Sequence, residues 1–367
     1  MINTYQATRE AFAILRRNTE KSHASRVRHR DIAEKLHISE GELIAAHVGR
    51  RSETPSWMLH AIRLRPEWPE IIAALEPLGT VMALTRNTSC VHEKIGVYCG
   101  VSHHHQVGLV LGPDIDLRLF YENWVYGFSV CDQLGQKIQY SLQFFDAAGT
   151  AVHKIMLRPE SDQAAYDALV AQFASAEQSV GILPQAGAAP LVERPDAEID
   201  IKEFHRAWDT LRDTHDFMDF LRHFALSRTQ ALRLAEAKYA CPVGVGACRK
   251  LLQSSVAQSI AIMVFVVNPG MIQIHTGPVH QVSVIGSWLN VLDAGFNLHL
   301  REDHIASAWI VRKPTIDGVV TSLELFDARG DIIALFFGAR KQGKPELDAW
   351  RALTDDLCHD AESCVAI

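Results

Sequence analysis

The chain carries one fold twice. Ser141-Leu142-Gln143-Phe144-Phe145-Asp146-Ala147-Ala148-Gly149 returns as Ser322-Leu323-Glu324-Leu325-Phe326-Asp327-Ala328-Arg329-Gly330, with six of nine positions identical. The register that sets Ser141 on Ser322 holds without a gap back to Gly96 and Gly277, through Val110/Val291, Leu117/Leu298, Leu119/Leu300 and Val130/Val311, and 14 of 54 aligned positions match. Solenoid units are about 20–50 residues long, and the step from Ser141 to Ser322 is several times longer, so it marks a duplicated domain. Residues common to both copies encode the common fold, and function is sought where the copies differ.

A length of 367 residues suits two domains of ordinary size, and 48% hydrophobic against 22% charged residues describes a globular chain with ample core. The net charge of −7 disfavours nucleic acid and anionic membranes as partners. Seven cysteines, an odd number without a CxxC pair, point to reduced thiols in a cytoplasm. The first residues lack the basic and apolar regions of a secretion signal. The longest apolar run, Ile260 to Val267, is too short to span a bilayer and reads as a buried strand.

Residues 5–78 read as helices, with Ser39 and Glu42 spaced as a capping box. From Gly79 to Leu157 short apolar alternations predict an antiparallel meander, with Asp146 to Gly149 as a hairpin turn. Ser161 is expected to cap a helix over 162–174, and Pro184 to Pro195 reads as a linker. The second copy repeats the order: helices over about 201–257, strands over about 260–338, and a closing helix from Pro345 to Leu357. The fold class is therefore α+β, a tandem duplication in which each half is an antiparallel sheet flanked by helices. The halves are 1–180 and 201–367, joined by 181–200.

In the first helix of the second copy, Phe204, Trp208, Leu211, His215 and Met218 follow steps of four and three, which predicts one helix face. A histidine on such a face is either a core residue with a satisfied hydrogen bond or an axial ligand to a flat apolar cofactor such as haem. Extended this far, the repeat register sets His215 on Glu34, so only the second copy owns the histidine. Haem also brings two propionates, which suit arginine. Arg118, Arg228 and Arg340 are candidates; the repeat partners of Arg118 and Arg340 are His299 and Pro159. His103-His104-His105 reads as a solvated loop, and no P-loop, GxGxxG, HExxH or GxSxG occurs.

Several segments resemble the hemin-degrading factor family, the cytoplasmic haem-handling proteins of the HemS, ChuS and PhuS type. In the first half these are Met82 to Asn87, Val91-His92-Glu93, Ile115 to Phe120, Gln143 to Asp146 and Val152-His153-Lys154. In the second they are Asp213-Thr214-His215, Ile262 to Val266, Gln273 to Gly277, Arg312-Lys313-Pro314, Thr321 to Glu324 and Phe337 to Arg340. The resemblance implies haem b, iron protoporphyrin IX, in a cleft between the halves. His215 would be its axial ligand and Arg118 the residue on its opposite face. Arg228, Lys313 and Arg340 would meet the propionates, and Phe265 would pack on the porphyrin. Two departures stand out: some members carry tyrosine where this chain has Phe337, and some carry further histidines where Asp216, Phe217 and Met218 follow His215.

The resemblance implies a role in haem uptake and iron acquisition, with a haem uptake transporter as source. Either the ring is opened with electrons from a separate reductase, Arg118 assisting, or haem is stored or passed to a separate haem oxygenase. A helix-turn-helix regulator is the remaining reading, since Arg30 to Leu43 has that spacing. Glu40 and Glu42 at the start of the second helix argue against it, because base-reading positions there should be polar or basic.

Overall fold

The computed structural model describes residues 2–21, 28–49, 57–134, 137–187, 192–340 and 343–365. Within them each copy runs through the same elements. The first has α1 (Ile2–Lys21), α2 (His29–Lys35), α3 (Glu40–Ala45), β1 (Trp57–Arg63) and α4 (Trp68–Ala73). Strands β2 (Val81–Arg86), β3 (Cys90–Gly96), β4 (Val101–His104), β5 (Val107–Leu111) and β6 (Asp116–Phe120) follow. The copy closes with β7 (Tyr126–Leu134), β8 (Lys137–Phe145), β9 (Ala151–Leu157) and α5 (Gln163–Phe173).

The second copy has α6 (Ile201–Asp209), α7 (Asp216–Phe224), α8 (Arg228–Leu234), β10 (Ala240–Val243) and α9 (Ala247–Ala257). Then come β11 (Ile262–Asn268), β12 (Met271–Gly277), β13 (Val282–Ile285), β14 (Trp288–Asp293) and β15 (Phe296–Arg301). Last are β16 (Ser307–Thr315), β17 (Gly318–Phe326), β18 (Ile332–Gly338) and α10 (Asp348–Val365). The α+β duplication is thus realised element for element.

The chain forms two compact units, and each takes a short segment from the other copy. Unit 1 is residues 1–86 and 93–188 with Asn268–Gln273; unit 2 is 189–267 and 274–367 with Asn87–His92. In unit 1, β1, β7, β8, β9 and β2 pair antiparallel in that order. In unit 2, β10, β16, β17, β18 and β11 do the same. The repeated nonapeptide has a structural cause. Register slips between Phe144 and Phe145, and again between Leu325 and Phe326. Asp146 then accepts from the amides of Ala148 and Thr150, as Asp327 does from Arg329 and Asp331. Gly149 (φ +76°) and Gly330 (φ +81°) take the left-handed backbone the turn requires. Strand alternation sends Phe144 and Phe145 into two different cores of unit 1.

Both borrowed segments are latched by an asparagine. In unit 1 the Asn268 Nδ2 donates to the Arg86 and Val152 carbonyls (3.0 and 2.9 Å), and its Oδ1 accepts from the Gly270 and Met271 amides. In unit 2 Asn87 makes the same bonds to Val267, Ile333, Ser89 and Cys90, each the repeat counterpart of the corresponding partner. Asn268→Ala removes four hydrogen bonds at one side chain and is expected to cost about 2 kcal/mol in urea unfolding.

Several boundaries differ from the sequence reading. The Ser39–Glu42 capping box forms as expected. β1 lies inside the stretch read as helical; its Leu59 and Ala61 alternate inward and it pairs with β7, so tertiary pairing outweighs local pattern. β10 interrupts 201–257 for the same reason. Asp162, not Ser161, caps α5 through the Ala165 amide, while the Ser161 hydroxyl binds the Arg158 amide and the Thr80 carbonyl. The closing helix starts at Asp348 and runs to Val365. No helix among the described residues is long and apolar enough to cross a membrane.

Candidate functional site

The predicted helix face through Phe204, Trp208, His215 and Met218 does not exist as one helix. α6 ends at Asp209, and α7 begins only at Asp216. A continuous helix would bury His215; restarting it resets the phase. Phe217, Phe220, Leu221 and Phe224 then face inward and join Phe204 and Trp208 in one core. Each such large apolar side chain contributes roughly 1.5–3 kcal/mol on burial, which favours the restart. His215 is left just ahead of α7 with its side chain 89% exposed, and Met218 is exposed as well. The core-histidine alternative is thereby overturned.

The ring is nonetheless held. His215 Nδ1 donates to Asp213 Oδ1 at 2.6 Å, and the His215 amide donates to the same oxygen at 2.9 Å. The Asp213 amide in turn donates to Asp216 Oδ2 at 3.1 Å. The His215 amide bond, set against partial desolvation and joined by the ring bond, holds the Asp213 carboxyl below its usual range. Nε2 makes no hydrogen bond among the described residues.

Just beyond, at the start of α7, two cations lie against the Phe217 ring. The Arg228 guanidinium carbon is 4.9 Å and Lys313 Nζ 4.6 Å from its ring centroid. Both cations converge on Glu324, which is 0% exposed: Arg228 Nε at 2.6 Å, Nη2 at 2.7 Å and Lys313 Nζ at 2.8 Å. Burial alone would raise the Glu324 carboxyl, but Arg228 and then Lys313 outweigh it and hold it well below the usual carboxylate range. Burial pushes Lys313 down to about 8 against the pull of Glu324. Two cations against one carboxylate leave the cluster one positive charge in excess. Lys313 also lies 6.0 Å from the Phe337 ring, which meets Phe265 edge-on at 5.0 Å. Arg340 Nη1 is buried without a hydrogen bond among the described residues, and Asp317 stands 3.8 Å away.

Unit 2 therefore links Arg228, Lys313, Phe337 and Phe265 through direct contacts, with His215 next but one in the chain to Phe217, which the two cations share. Arg118 belongs to unit 1, on β6, where its guanidinium is held by Asp116 and the Leu117 carbonyl. Sequence reasoning missed the roles of Glu324, Phe217 and Asp213. The signal for Glu324 was present: its repeat partner is Gln143, a difference inside the best-matched segment.

Glu34 is not the structural counterpart of His215. Backbone φ is positive at His37 and Ala225, and Ser39 and Ser227 cap α3 and α8, so the helical segments pair Ser39 with Ser227, in a different register from the strands. Glu40 thereby matches Arg228, and His29 matches Phe217. In unit 1 Glu40 is buried against Lys154 and Arg86, and Asp132 binds Arg16 and His29. The first copy thus carries a carboxylate at Glu40 where the second carries the cation of Arg228. α3 also buries Glu40, Gly41, Leu43, Ile44 and Ala45, so it offers no free face to a DNA groove. His103, His104 and His105 are exposed on the β4–β5 hairpin, and no group of three or more metal-ligand side chains occurs among the described residues.

These side chains of the second unit suit a flat, largely apolar group with anionic ends: aromatic rings, an excess cation, and, among the described residues, a buried guanidinium nitrogen and an imidazole nitrogen that make no hydrogen bond. Comparison with known proteins gives the family. The model of the haemin-degrading HemS.ChuX domain matches twice, over residues 37–173 and 225–357. The hemin transport protein HmuS of Yersinia pestis is 38% identical over 88% of this chain and 90% of its own length. The crystal structure of holo-PhuS, a heme-binding protein from Pseudomonas aeruginosa, has a TM-score of 0.88 at 42% identity, covering 96% of this chain and 97% of that one. ChuS, a heme degrading enzyme of Escherichia coli O157:H7, has a TM-score of 0.85 at 34% identity, covering 96% and 99%.

Proposed function

This chain belongs to the haemin-degrading HemS.ChuX domain family, and on that premise we propose that it is a cytoplasmic haem carrier of haem utilisation. It takes one iron protoporphyrin IX per chain through His215. The observation that carries this reading is an imidazole 89% exposed, its Nδ1 occupied by Asp213 and its Nε2 free, at the head of the helix that supplies Phe217. An exposed ligand suits a cargo that must be taken from one protein, such as a haem uptake transporter, and given to another. Arg228, Lys313 and Arg340 supply positive charge for the propionates; Phe265 and Phe337 supply apolar contact. The haem brings an iron with an open coordination position and a ring that can be oxidised.

Adding hemin to the purified protein and recording stoichiometry and the ferric spectrum tests the reading. One equivalent with a histidine-ligated spectrum is expected; no saturable binding overturns it. Ring opening is the second reading, favoured by the half-buried guanidinium of Arg118, which Asp116 holds in place as a hydrogen-bond donor. Aerobic incubation of the loaded protein with a reductase and catalase separates the two. Haem lost despite catalase supports ring opening, whereas haem that persists until a haem oxygenase is added supports carriage.

The pH dependence follows from Lys313. Its amine titrates at about 8 in the ligand-free protein, so it is charged below that pH and neutral above. Propionates favour the charged form, and hemin affinity is expected to fall by up to about tenfold per pH unit above that point. Hemin titrations between about pH 6.5 and 9.5 check this, and Lys313→Met should remove the step.

A further inference from the structure

Resting on the reading of His215 as the iron ligand, we propose that Asp213 is the positioning residue of that ligand and biases the site toward ferric over ferrous haem. The His215 ring is almost free of packing, and its hydrogen bond to Asp213 is the one it makes among the described residues. The orientation and tautomer of the ring therefore come from Asp213. A neutral imidazole carries one N–H and one lone pair. With Nδ1–H committed to a carboxylate at 2.6 Å, Nε2 is the atom left to ligate.

A carboxylate partner on the far nitrogen makes the imidazole more basic and a stronger donor to the higher oxidation state of a metal. The site should then hold ferric haem more tightly than ferrous, and its reduction potential should be low. The Asp213 carboxylate is itself held at Oδ1 by two further donors, and its backbone by a third bond. Its Oδ1 accepts from the His215 amide at 2.9 Å and from the Thr214 hydroxyl at 3.4 Å, and the Asp213 amide is tied to Asp216. In the register that pairs Ser227 with Ser39, Asp213-Thr214-His215 falls on Ser25-Arg26-Val27 of the first copy. Carboxylate and imidazole are thus specific to the second copy and occur there together.

The bland account is that Asp213 merely caps α7. Asp213→Asn separates the two roles, because asparagine caps a helix as well as aspartate while lacking the charge. In the haem-free protein, nitrogen chemical shifts of the His215 ring should report the Nδ1–H form in the wild type and a shift toward Nε2–H in the variant. In the hemin complex the variant should show a lower-frequency iron–histidine stretch after reduction and a higher reduction potential. Its ferric affinity should fall about tenfold or more, and its ferrous affinity by less. Wild-type tautomer, stretch and potential in Asp213→Asn, with His215→Ala still abolishing the histidine-ligated spectrum, would overturn the role of Asp213 alone. An unchanged spectrum in His215→Ala overturns the ligand reading and this inference with it.

Discussion

His215→Ala is expected to abolish the histidine-ligated ferric spectrum and weaken hemin binding by more than about 100-fold, the upper end of what losing a mere outer-shell partner costs. The fold should scarcely register the change. The side chain is 89% exposed, makes no cap bond to α7, and leaves the backbone bond from residue 215 to Asp213 intact. Surface substitutions of this kind stay within about 0.5 kcal/mol, so the melting temperature without haem should be unchanged within about 2 °C. Loss of binding in a protein of unaltered stability is what distinguishes a ligand from a structural residue. Hemin titration followed by absorbance, beside a thermal melt of the same samples, measures both. Retained affinity with a retained spectrum would remove His215 from the site.

The repeat was legible because it is encoded in residues with strict local demands. Asp146 and Asp327 serve hairpin amides, Gly149 and Gly330 take positive φ, and the intervening strands alternate. Such features survive as identities. The separate register of the helical segments was not legible, because α2–α3 and α7–α8 share a turn geometry and a capping serine but almost no side chains. Alignment in the strand register therefore paired His215 with Glu34. The helix break before His215 had a readable sign. Asp213 and Asp216 stand three apart ahead of an inward stripe of Phe217, Phe220, Leu221 and Phe224, which is the pattern of a helix start. The periodicity through His215 competed with that stripe, and the larger aromatic surface won. β1 and β10 were hidden for a different reason: a short strand whose partner lies far along the chain has little local signature. Of the site's cations, Arg228 and Arg340 were candidates from the residues themselves and Lys313 came from the resemblance, while the carboxylate shared by Arg228 and Lys313 was visible as a Gln143/Glu324 difference between copies.

That carboxylate governs the second large effect. Glu324→Gln is expected to destabilise the haem-free protein by about 3–5 kcal/mol, the cost of removing one partner from a buried ion pair. Glutamine keeps the shape and can still accept from Ser322, but it leaves the Arg228 guanidinium without its buried counter-ion and removes the pull that keeps Lys313 protonated. Wild-type Glu324 titrates below its ordinary value near 4.5 because the two cations outweigh burial. Its stabilisation is therefore fully present above that pH and is lost only as pH falls through the lower folded value. The Glu324 contribution to wild-type stability should accordingly hold above about pH 5 and fade only in acid, as urea unfolding of both proteins at several pH values would show. Hemin adds the functional half of the test. If Arg228 and Lys313 meet propionates, the ligand restores part of the missing negative charge, and hemin should raise the melting temperature of Glu324→Gln by more than it raises that of the wild type. An equal rise in both proteins would mean that these cations serve the fold of unit 2 and do not touch the ligand.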